Sequence, residues 1–439
     1  MRIKFLAAAL AGAGLFSTGA QAQTEIQWWH GMTGALNDRV TEIAKGFNES
    51  QKDYKVTAIF KGQYPETMTA AIAAYRAGNP PHIVQMFEVG TATMMAGGKA
   101  IKPVFQLMKE ANEPFNAKNY LAAVAGYYTD RRGNMLSLPF NSSTPVFYIN
   151  KDAFRKAGLN PDQAPKTWKE FAIAAGKLKA SGQQCVYSTG WPSWVHIENF
   201  SAWHNLPIGT KENGIAGMDT EFKVNSPQHV KHLEMLAGFA KNGWFTYSGR
   251  RNEAEARFFS GECAMLTSSS AAQANIRRNA KFDFSVNFLP YHDDIQGAPQ
   301  NSIIGGATLW VMSGKKPADY KGVAKFFSYL SSPAVQAKWH KDTGYVPITN
   351  AAFDLVKKEG YYEKNPGTDV AIRQLNNKAP TANSKGLRFG NFVQGREVIE
   401  EEMETVFQGK KDAKSALDSA VKRGNDILRR FEAANKGKA

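Results

Sequence analysis

Side chains that could act in catalysis or hold a metal are few in this sequence. His229 and His232 lie three residues apart on a predicted helix, a spacing that could place two imidazoles on one face. No nearby carboxylate or thiol completes a zinc site, so we interpret the pair as part of a solvated helix face. A glutamate run near the carboxy terminus is likewise interpreted as solvated helix surface rather than paired acid catalysis; it comprises Glu400, Glu401, Glu402 and Glu404.

The short motifs that mark many enzymes are also missing from the sequence. It contains no Walker loop, no dinucleotide-binding glycine pattern, no HExxH and no GxSxG. We therefore predict a protein that is not an enzyme, with no catalytic residue, no metal and no cofactor.

Two tryptophans favour ligand binding instead. Trp191 and Trp194 lie in a turn-rich stretch directly after a predicted strand. Indole rings in such a place can form the wall of a cleft and pack on the CH faces of a sugar or polyol. The alternative is that both rings are buried for packing alone, because tryptophan is usually mostly buried.

Small polar and glycine-containing segments occur near the ends of several predicted strands. Residues 267–270 (TSSS) lie between a strand and a helix, where hydroxyls and unpaired N–H groups suit an anion, although serine is also an ordinary helix N-cap. Residues 141–144 (NSST) are equally ambiguous. Residues 304–307 (IGGA) could let backbone amides approach a ligand or could simply relieve crowding. Open α/β sheets present their ligand sites at strand ends, so together these segments predict a binding cleft.

Strands and helices alternate along the chain in a way that would position these segments. Strand, helix and strand are predicted at residues 54–60, 65–79 and 82–89. Thr167 and Glu170 form a capping box for the next helix, and Ser226-Pro227 opens another. Residues 284–291 and 307–312 return to strand composition, whereas the sequence after Pro317 is helical. The fold class predicted is therefore α/β with a helical carboxy-terminal third.

The chain of 439 residues is 43% hydrophobic and 21% charged, which excludes intrinsic disorder for most of its length. Residues 1–22 are typical of a signal peptide, with a short basic region, an apolar stretch and an Ala20-Gln21-Ala22 cleavage site. We therefore expect a protein free in the periplasm. Losing Arg2 and Lys4 lowers the net charge from +15 to +13. The basic residues are scattered among acidic ones, which disfavours nucleic acid and membrane partners. The net positive charge could still attract an anion.

The two cysteines, Cys185 and Cys263, lie in short β-like runs that could pair side by side. An oxidising compartment permits a disulfide between them, which is the pairing we expect. Two buried free thiols are the alternative.

Three segments resemble the extracellular solute-binding proteins of ABC importers: WWHG at residues 28–31, FxxGxCAM at 258–265 and TGYVPI at 343–348. Longer runs resemble the members of that family that take phosphorylated glycerol, namely EVGTATMM at 88–95, PFNSSTP at 139–145 and ENFSAW at 198–203. The resemblance covers essentially the whole mature chain.

This resemblance implies a two-lobed periplasmic binding protein fold, with a cleft between the lobes and a hinge that closes on ligand. Lobe I is expected to comprise residues 23–140 plus 288–345, and lobe II residues 141–287 plus 346–439. The resemblance also implies a monomer that captures sn-glycerol-3-phosphate or a glycerophosphodiester such as glycerophosphocholine and delivers it to a membrane permease.

The resemblance further implies which residues bind the ligand. The matching positions are Tyr64, Glu88, Ser143, Trp191, Trp194, Ser269, Gly306, Tyr345 and Arg396. Arg396 would offer a planar pair of donors to the phosphate, and Glu88, which repels phosphate, should face the hydroxyl end. A surface ion pair between Arg396 and Glu400 is the competing interpretation of that arginine. Competing functions are a sugar-binding protein on the same scaffold and a periplasmic phosphodiesterase.

Overall fold

The computed structural model describes residues 23–436, and the predicted signal peptide at residues 1–22 therefore lies outside the described part. A first β-sheet has the strand order β2-β1-β3-β10-β4, with β5 pairing β10 from the same side as β4. Its strands are β1 (Thr24–His30), β2 (Tyr54–Phe60), β3 (Ile83–Phe87), β4 (Ile101–Lys102), β5 (Leu138–Ser143) and β10 (Gly305–Met312). Strand β1 is parallel to β2 and β3, whereas β10 is antiparallel to its neighbours.

A second sheet has the order β7-β8-β6-β9. Its strands are β6 (Pro145–Asn150), β7 (Cys185–Thr189), β8 (Cys263–Ser269) and β9 (Phe284–Asn287). Strands β7 and β8 run parallel with Cys185 directly opposite Cys263, and their Cα atoms are 4.4 Å apart. The expected disulfide between these two residues is confirmed.

Helices cover both sheets. In chain order they are α1 (Gly34–Ser50), α2 (Tyr64–Arg76), α3 (Thr91–Ala96), α4 (Val104–Glu110), α5 (Ala122–Ala125), α6 (Lys151–Lys156), α7 (Trp168–Ala180), α8 (Phe200–Trp203), α9 (Thr210–Asn213), α10 (Pro227–Lys241), α11 (Glu253–Phe259), α12 (Ala272–Asn279), α13 (Pro317–Leu330), α14 (Pro333–Thr343), α15 (Asn350–Lys358), α16 (Tyr361–Lys364), α17 (Val370–Leu375), α18 (Phe392–Phe407) and α19 (Ala413–Asn435). Short 3₁₀ helices occupy Glu88–Gly90, Gly98–Ala100 and Ala117–Asn119, and a π-helix occupies Trp194–Asn199.

Local sequence signals account for several of these elements. The Thr167 hydroxyl accepts a hydrogen bond from the Glu170 amide and so caps α7, and Pro227 occupies the first turn of α10. All helices and strands described from Pro317 onwards are helices, with no strand among them, as the sequence predicts. No helix within residues 23–436 is long and apolar enough to cross a membrane.

The chain passes between the two sheets more than once. It leaves the first sheet at Thr144, between β5 and β6, and returns between β9 and β10. Helix α13 then packs on β1 of the first sheet, whereas α18 packs on α10 and α19. This interwoven connectivity is that of a two-lobed α/β protein whose lobes share several crossing segments. The precise lobe boundaries remain a prediction.

Helix α10 is buried on the face that carries its two histidines, so the interpretation of His229 and His232 as a solvated surface is wrong. Each is only 1% exposed. The His232 ring is hydrogen-bonded to His196 at 3.0 Å and to His292 at 3.1 Å. The histidine face packs against the π-helix and α8, while α18 and α19 also pack on α10.

The glutamate run on α18 is not a uniformly solvated surface either. Glu400 and Glu402 are buried, because α18 packs against α10 and α19. Glu400 pairs with Arg251, and Glu402 accepts hydrogen bonds from Lys411 and Arg423. This run of polar residues therefore includes two carboxylates that are buried and paired.

Candidate ligand-binding site

A cavity of about 60 Å³ lies where the two sheets and their helices meet. Its wall includes all nine residues that the family resemblance singles out: Tyr64, Glu88, Ser143, Trp191, Trp194, Ser269, Gly306, Tyr345 and Arg396. Positions spread over more than 300 residues of sequence are thus brought together around one space. Both sheets contribute, for example through Ser143 at the end of β5 and Ser269 at the end of β8.

Two charged residues of the wall, Glu88 and Arg396, belong to a buried cluster whose third member, Glu198, lies outside the wall. The Arg396 Nε and Nη2 atoms donate to the two carboxylate oxygens of Glu198 at 2.8 and 2.6 Å. Nη2 also donates to Glu88 Oε1 at 2.6 Å. All three side chains are at most 4% exposed. The cluster therefore carries two formal negative charges against one positive charge.

Three separate elements position this cluster. Glu88 begins the 3₁₀ turn at the end of β3, Glu198 lies on the π-helix and Arg396 lies one turn into α18. Burial alone would lower the pKa of Arg396, but its two carboxylate partners raise it above the ordinary arginine value, so the guanidinium stays charged. Burial raises the pKa of Glu88, an effect that Arg396 partly offsets.

This arrangement changes the expected role of Arg396. Two of its three donor groups already bind carboxylates, so the expected two-pronged contact with a phosphate is blocked in this structure. Only Nη1 has no hydrogen-bond partner among the described residues. The competing interpretation, a surface pair with Glu400, is wrong because Arg396 is buried and Glu400 pairs with Arg251.

Two phenols form a neutral part of the wall. The Tyr64 hydroxyl accepts a hydrogen bond from Asn141 Nδ2 at 2.9 Å, and Gln85 Nε2 in turn donates to the side-chain oxygen Oδ1 of Asn141 at 2.8 Å. Burial raises the pKa of Tyr345 to about 12 and that of Tyr64 well above its ordinary value. Both phenols therefore stay protonated and can donate hydrogen bonds to a ligand.

Ser143, Ser269 and Gly306 lie on strand ends that meet at the cavity. Gly306 has φ +90°, and a Cβ atom there would lie 1.9 Å from the Asn141 carbonyl oxygen, so no larger residue fits. From the sequence, the polar segments are expected to follow their strands. In the structure β5 runs through Ser143 and β8 through Ser269, so these serines belong to the strands themselves.

Helices α1 and α12 begin at the same cavity. Thr33 precedes α1 and Ala271 precedes α12, and both residues line the cavity. The first amides of a helix lack intrahelical partners and carry partial positive charge. The combination of serine hydroxyls, a glycine amide and helix starts is suited to an anion.

Trp191 and Trp194 both line the cavity and are also packed, so ligand contact stays a prediction for them. Both line the cavity, and both pack in one cluster with Trp203 and Leu289. Trp191 donates from Nε1 to Asn252 at 2.6 Å. The Trp194 ring lies directly against Gly305, where a Cβ atom would come within 2.3 Å of it. Each indole is thus a cleft wall that is itself held by packing.

Glu198 and Glu255 are functional candidates that the sequence analysis misses. Glu198 holds Arg396, and Glu255 lines the cavity directly. Glu255 is 5% exposed and accepts a hydrogen bond from Ser268 Oγ at 3.1 Å. Burial raises its pKa to about 7. The one signal for Glu198 is its place in the ENFSAW run, and no local pattern marks Glu255.

Comparisons with known proteins agree with this geometry. The family described as bacterial extracellular solute-binding protein matches residues 42–368. The chain is 53% identical over 431 residues to the sn-glycerol-3-phosphate-binding periplasmic protein UgpB of Pectobacterium atrosepticum, covering 98% of this chain and 97% of that protein. It is also 53% identical over 422 residues to the protein of the same name from Yersinia pseudotuberculosis, with 96% of each chain covered.

Solved structures show the same fold at lower identity. UgpB from Mycobacterium tuberculosis in complex with glycerophosphocholine has a TM-score of 0.77 at 21% identity, covering 93% of this chain and 99% of that chain. Maltose-bound MalE3 from T. maritima has a TM-score of 0.75 at 16% identity, covering 92% and 100%. The chain therefore belongs to the bacterial extracellular solute-binding proteins, the periplasmic, non-enzymatic substrate-binding components of ABC importers.

Proposed function

We propose that this protein captures sn-glycerol-3-phosphate or a glycerophosphodiester such as glycerophosphocholine and delivers it to the membrane permease of an ABC importer. The observation that carries the proposal is the convergence of the nine family positions on one small cavity. The names of the relatives at 53% identity, and the glycerophosphocholine in the M. tuberculosis structure, support the same ligand class.

The phosphate lies, in this proposal, against the neutral donors rather than in the grip of Arg396. Ser143, Ser269 and the Gly306 amide supply hydrogen bonds, Tyr345 adds a phenolic O–H, and the starts of α1 and α12 supply partial positive charge. The reason is electrostatic. The Arg396 cluster has a formal charge of −1, so it would repel a phosphate placed directly on it.

The glycerol hydroxyls lie, in this proposal, against Glu88. A carboxylate accepts hydrogen bonds from hydroxyl groups, and Arg396 fixes the Glu88 side chain from behind while its free Nη1 can donate to a further ligand oxygen. Tyr64 can contact either end. Trp191 and Trp194 cover the carbon chain between the two ends.

Lobe movement is part of the proposed function. A cavity of about 60 Å³ holds only a few water molecules, whereas glycerol-3-phosphate has ten non-hydrogen atoms and needs more space than that. Because both sheets contribute to the wall, opening about the crossing segments near Thr144 would enlarge the site and admit the ligand. The closed protein then presents both lobes to the permease. One chain supplies the whole wall, so a monomer suffices.

A sugar is the second candidate ligand. Paired indoles beside a carboxylate suit a saccharide as well as a glycerol, and the excess negative charge of the Arg396 cluster favours a neutral ligand. Solved relatives of the same fold include a maltose complex. The serines, the glycine amide and the two helix starts favour the phosphate ester over the sugar.

The two candidates are separated by calorimetric titration at one salt concentration with glycerol-3-phosphate, glycerol-2-phosphate, glycerophosphocholine and maltose. We expect glycerol-3-phosphate and glycerophosphocholine to bind, and maltose to give no heat of binding. Ser269→Ala should weaken the phosphate ligands, whereas Ser260→Ala, at an exposed serine of the same lobe, should not. Binding of maltose without binding of any phosphate ester would overturn the proposal. Release of free choline from glycerophosphocholine would show turnover and support a phosphodiesterase instead.

A further inference from the structure

Glu255 is a buried carboxyl group in the cavity wall with no charge partner. It lies on α11 and accepts a hydrogen bond from Ser268 Oγ at 3.1 Å. No lysine, arginine or histidine among residues 23–436 forms an ion pair with it, and no cation is among the groups that shift its pKa. Buried carboxyls are usually paired or fully hydrogen-bonded, so this residue calls for a functional explanation.

The surroundings of Glu255 are neutral apart from one acidic neighbour. The Asn275 side chain on α12 and Ser268 on β8 are its polar neighbours, and the phenols of Tyr148 and Tyr345 feel its charge. Glu253, on the same helix, is exposed and adds a second negative charge. Arg277, on the neighbouring helix α12, acts on the same Tyr148 phenol, but its guanidinium donates to Gln273 and to the Lys341 backbone oxygen and not to Glu255.

Glu255 also lies within reach of the proposed phosphate position. It shares the cavity wall with Ser269, Tyr345 and the start of α12 at Ala271. The Glu255 carboxyl group is hydrogen-bonded to Ser268, the residue directly before Ser269, so a phosphate bound by Ser269 shares this part of the wall with it. An ionised carboxylate there would repel the phosphate, whereas a protonated one could donate a hydrogen bond to it.

We propose that Glu255 determines how the protein distinguishes phosphate monoesters from phosphodiesters, by taking up a proton when the doubly charged monoester glycerol-3-phosphate binds. The inference rests on the proposed function of the cavity. The balance is simple: the Glu255 carboxylate gains one proton from solvent and becomes the neutral acid, and no other bond changes. A phosphodiester carries a single negative charge, so it is repelled less by the ionised carboxylate and needs the proton less.

The pKa values of Glu255 and of the ligand phosphate define the pH range in which this proton uptake can be seen. Burial raises the pKa of Glu255 to about 7, so the proton is present about half of the time near neutral pH. A phosphate monoester has its second pKa near 6, so above about pH 7 it is already a dianion. Any change in monoester affinity above pH 7 therefore arises from the protein rather than from the ligand.

The test is calorimetric titration of the full-length mature protein with glycerol-3-phosphate and with glycerophosphoglycerol, a diester that has no cationic head group. Between pH 7 and 8.5 the protonated fraction of a group with a pKa of about 7 falls about 15-fold. We expect the glycerol-3-phosphate affinity of the wild type to fall by up to about that factor, and the diester affinity to fall by clearly less. Repeating the titration at pH 7.5 in buffers of different ionisation enthalpy should show uptake of more than about half a proton per glycerol-3-phosphate.

Two variants complete the design. Glu255→Gln should abolish both the proton uptake and the pH dependence, whereas Glu253→Gln, which removes an exposed charge from the same helix, should retain both. Uptake that persists in Glu255→Gln, or equal pH dependence for monoester and diester in the wild type, would overturn the inference. Absence of glycerol-3-phosphate binding at pH 7 would instead overturn the proposed function, so the two failures can be told apart. If Glu255→Gln does not fold, the titrations of the wild type in buffers of different ionisation enthalpy measure the proton uptake without any substitution.

Discussion

Replacing Arg396 by alanine should weaken glycerol-3-phosphate binding and also destabilise the folded protein. The substitution leaves Glu88 and Glu198 buried without a counter-charge, and breaking a buried ion pair from one side costs about 3–5 kcal/mol of folding free energy. Glu88 loses the partner that orients it, so the glycerol contact is lost as well. A hydrogen bond between a ligand hydroxyl and a charged group contributes about 1.5–3 kcal/mol, so the affinity should fall roughly 10-fold to 150-fold.

Arg396→Lys should recover only part of this loss. Lysine keeps the positive charge, but it cannot bind both oxygens of Glu198 and also reach Glu88. Arg250→Ala is the matched control, because Arg250 forms a bidentate pair with Glu404 on the same helix α18, outside the cavity, and its side chain is 31% exposed. We expect the control to leave the affinity unchanged and to cost at most about 1 kcal/mol of stability.

The assays are calorimetric titration for affinity and urea unfolding for stability. If Arg396→Ala does not fold, a variant in which Arg396→Met is combined with Glu88→Gln and Glu198→Gln removes all three charges and should recover much of the stability while still binding poorly. An affinity loss below about threefold in a folded Arg396 variant would refute the reasoning. It would mean that the ligand does not depend on the buried cluster.

Three further outcomes are expected. Protein purified from the periplasm should have no thiol that reacts with an alkylating agent under denaturing, non-reducing conditions, and two labelled thiols per chain would contradict the disulfide. Reduction of the Cys185–Cys263 bond, whose cysteines are 78 residues apart, should lower the free energy of unfolding by about 4 kcal/mol. Trp191→Ala should weaken ligand binding, and Trp194→Ala should weaken binding and also lower the melting temperature because its ring fills the space beside the Gly305 backbone; unchanged affinity in both would favour packing as their sole role. Burial lowers the pKa of His196 from 6.5 to about 3, so this histidine binds a proton at a higher pH in the unfolded chain than in the folded one. The free energy of unfolding should therefore fall as the pH is lowered from about 6.5 towards 4. In His196→Gln, urea unfolding should show a smaller change of this free energy with pH.

Local signals in the sequence predict much of the fold. The Thr167–Glu170 capping box places the start of α7, and the alternation of residues 54–60 marks β2 with the observed bounds. Strand ends are predicted less well. Ser143 and Ser269 read as loop residues because serine favours turns, yet both continue strands whose neighbours supply backbone hydrogen bonds. Tertiary pairing thus overrides local preference at the positions that line the site.

Burial of polar helix faces could not be predicted from the sequence. His232 and Glu400 lie in segments whose letters are typical of solvated helix surface, but each finds its partner on a distant segment. The same limit explains the Arg396 cluster. Glu198 lies 198 residues before Arg396 in the sequence, and no spacing rule connects an arginine in a late helix with a carboxylate on a π-helix. Only the folded chain shows that the arginine is already occupied.

The most direct test of the account is a crystal structure of the protein grown with glycerol-3-phosphate. The account predicts a phosphate within hydrogen-bond distance of the Ser143 and Ser269 hydroxyls and the Gly306 amide, with a glycerol hydroxyl on Glu88 and with Arg396 still bound to Glu198. A phosphate held by Nε and Nη2 of Arg396, with Glu198 displaced, or a ligand bound outside this cavity, would contradict it.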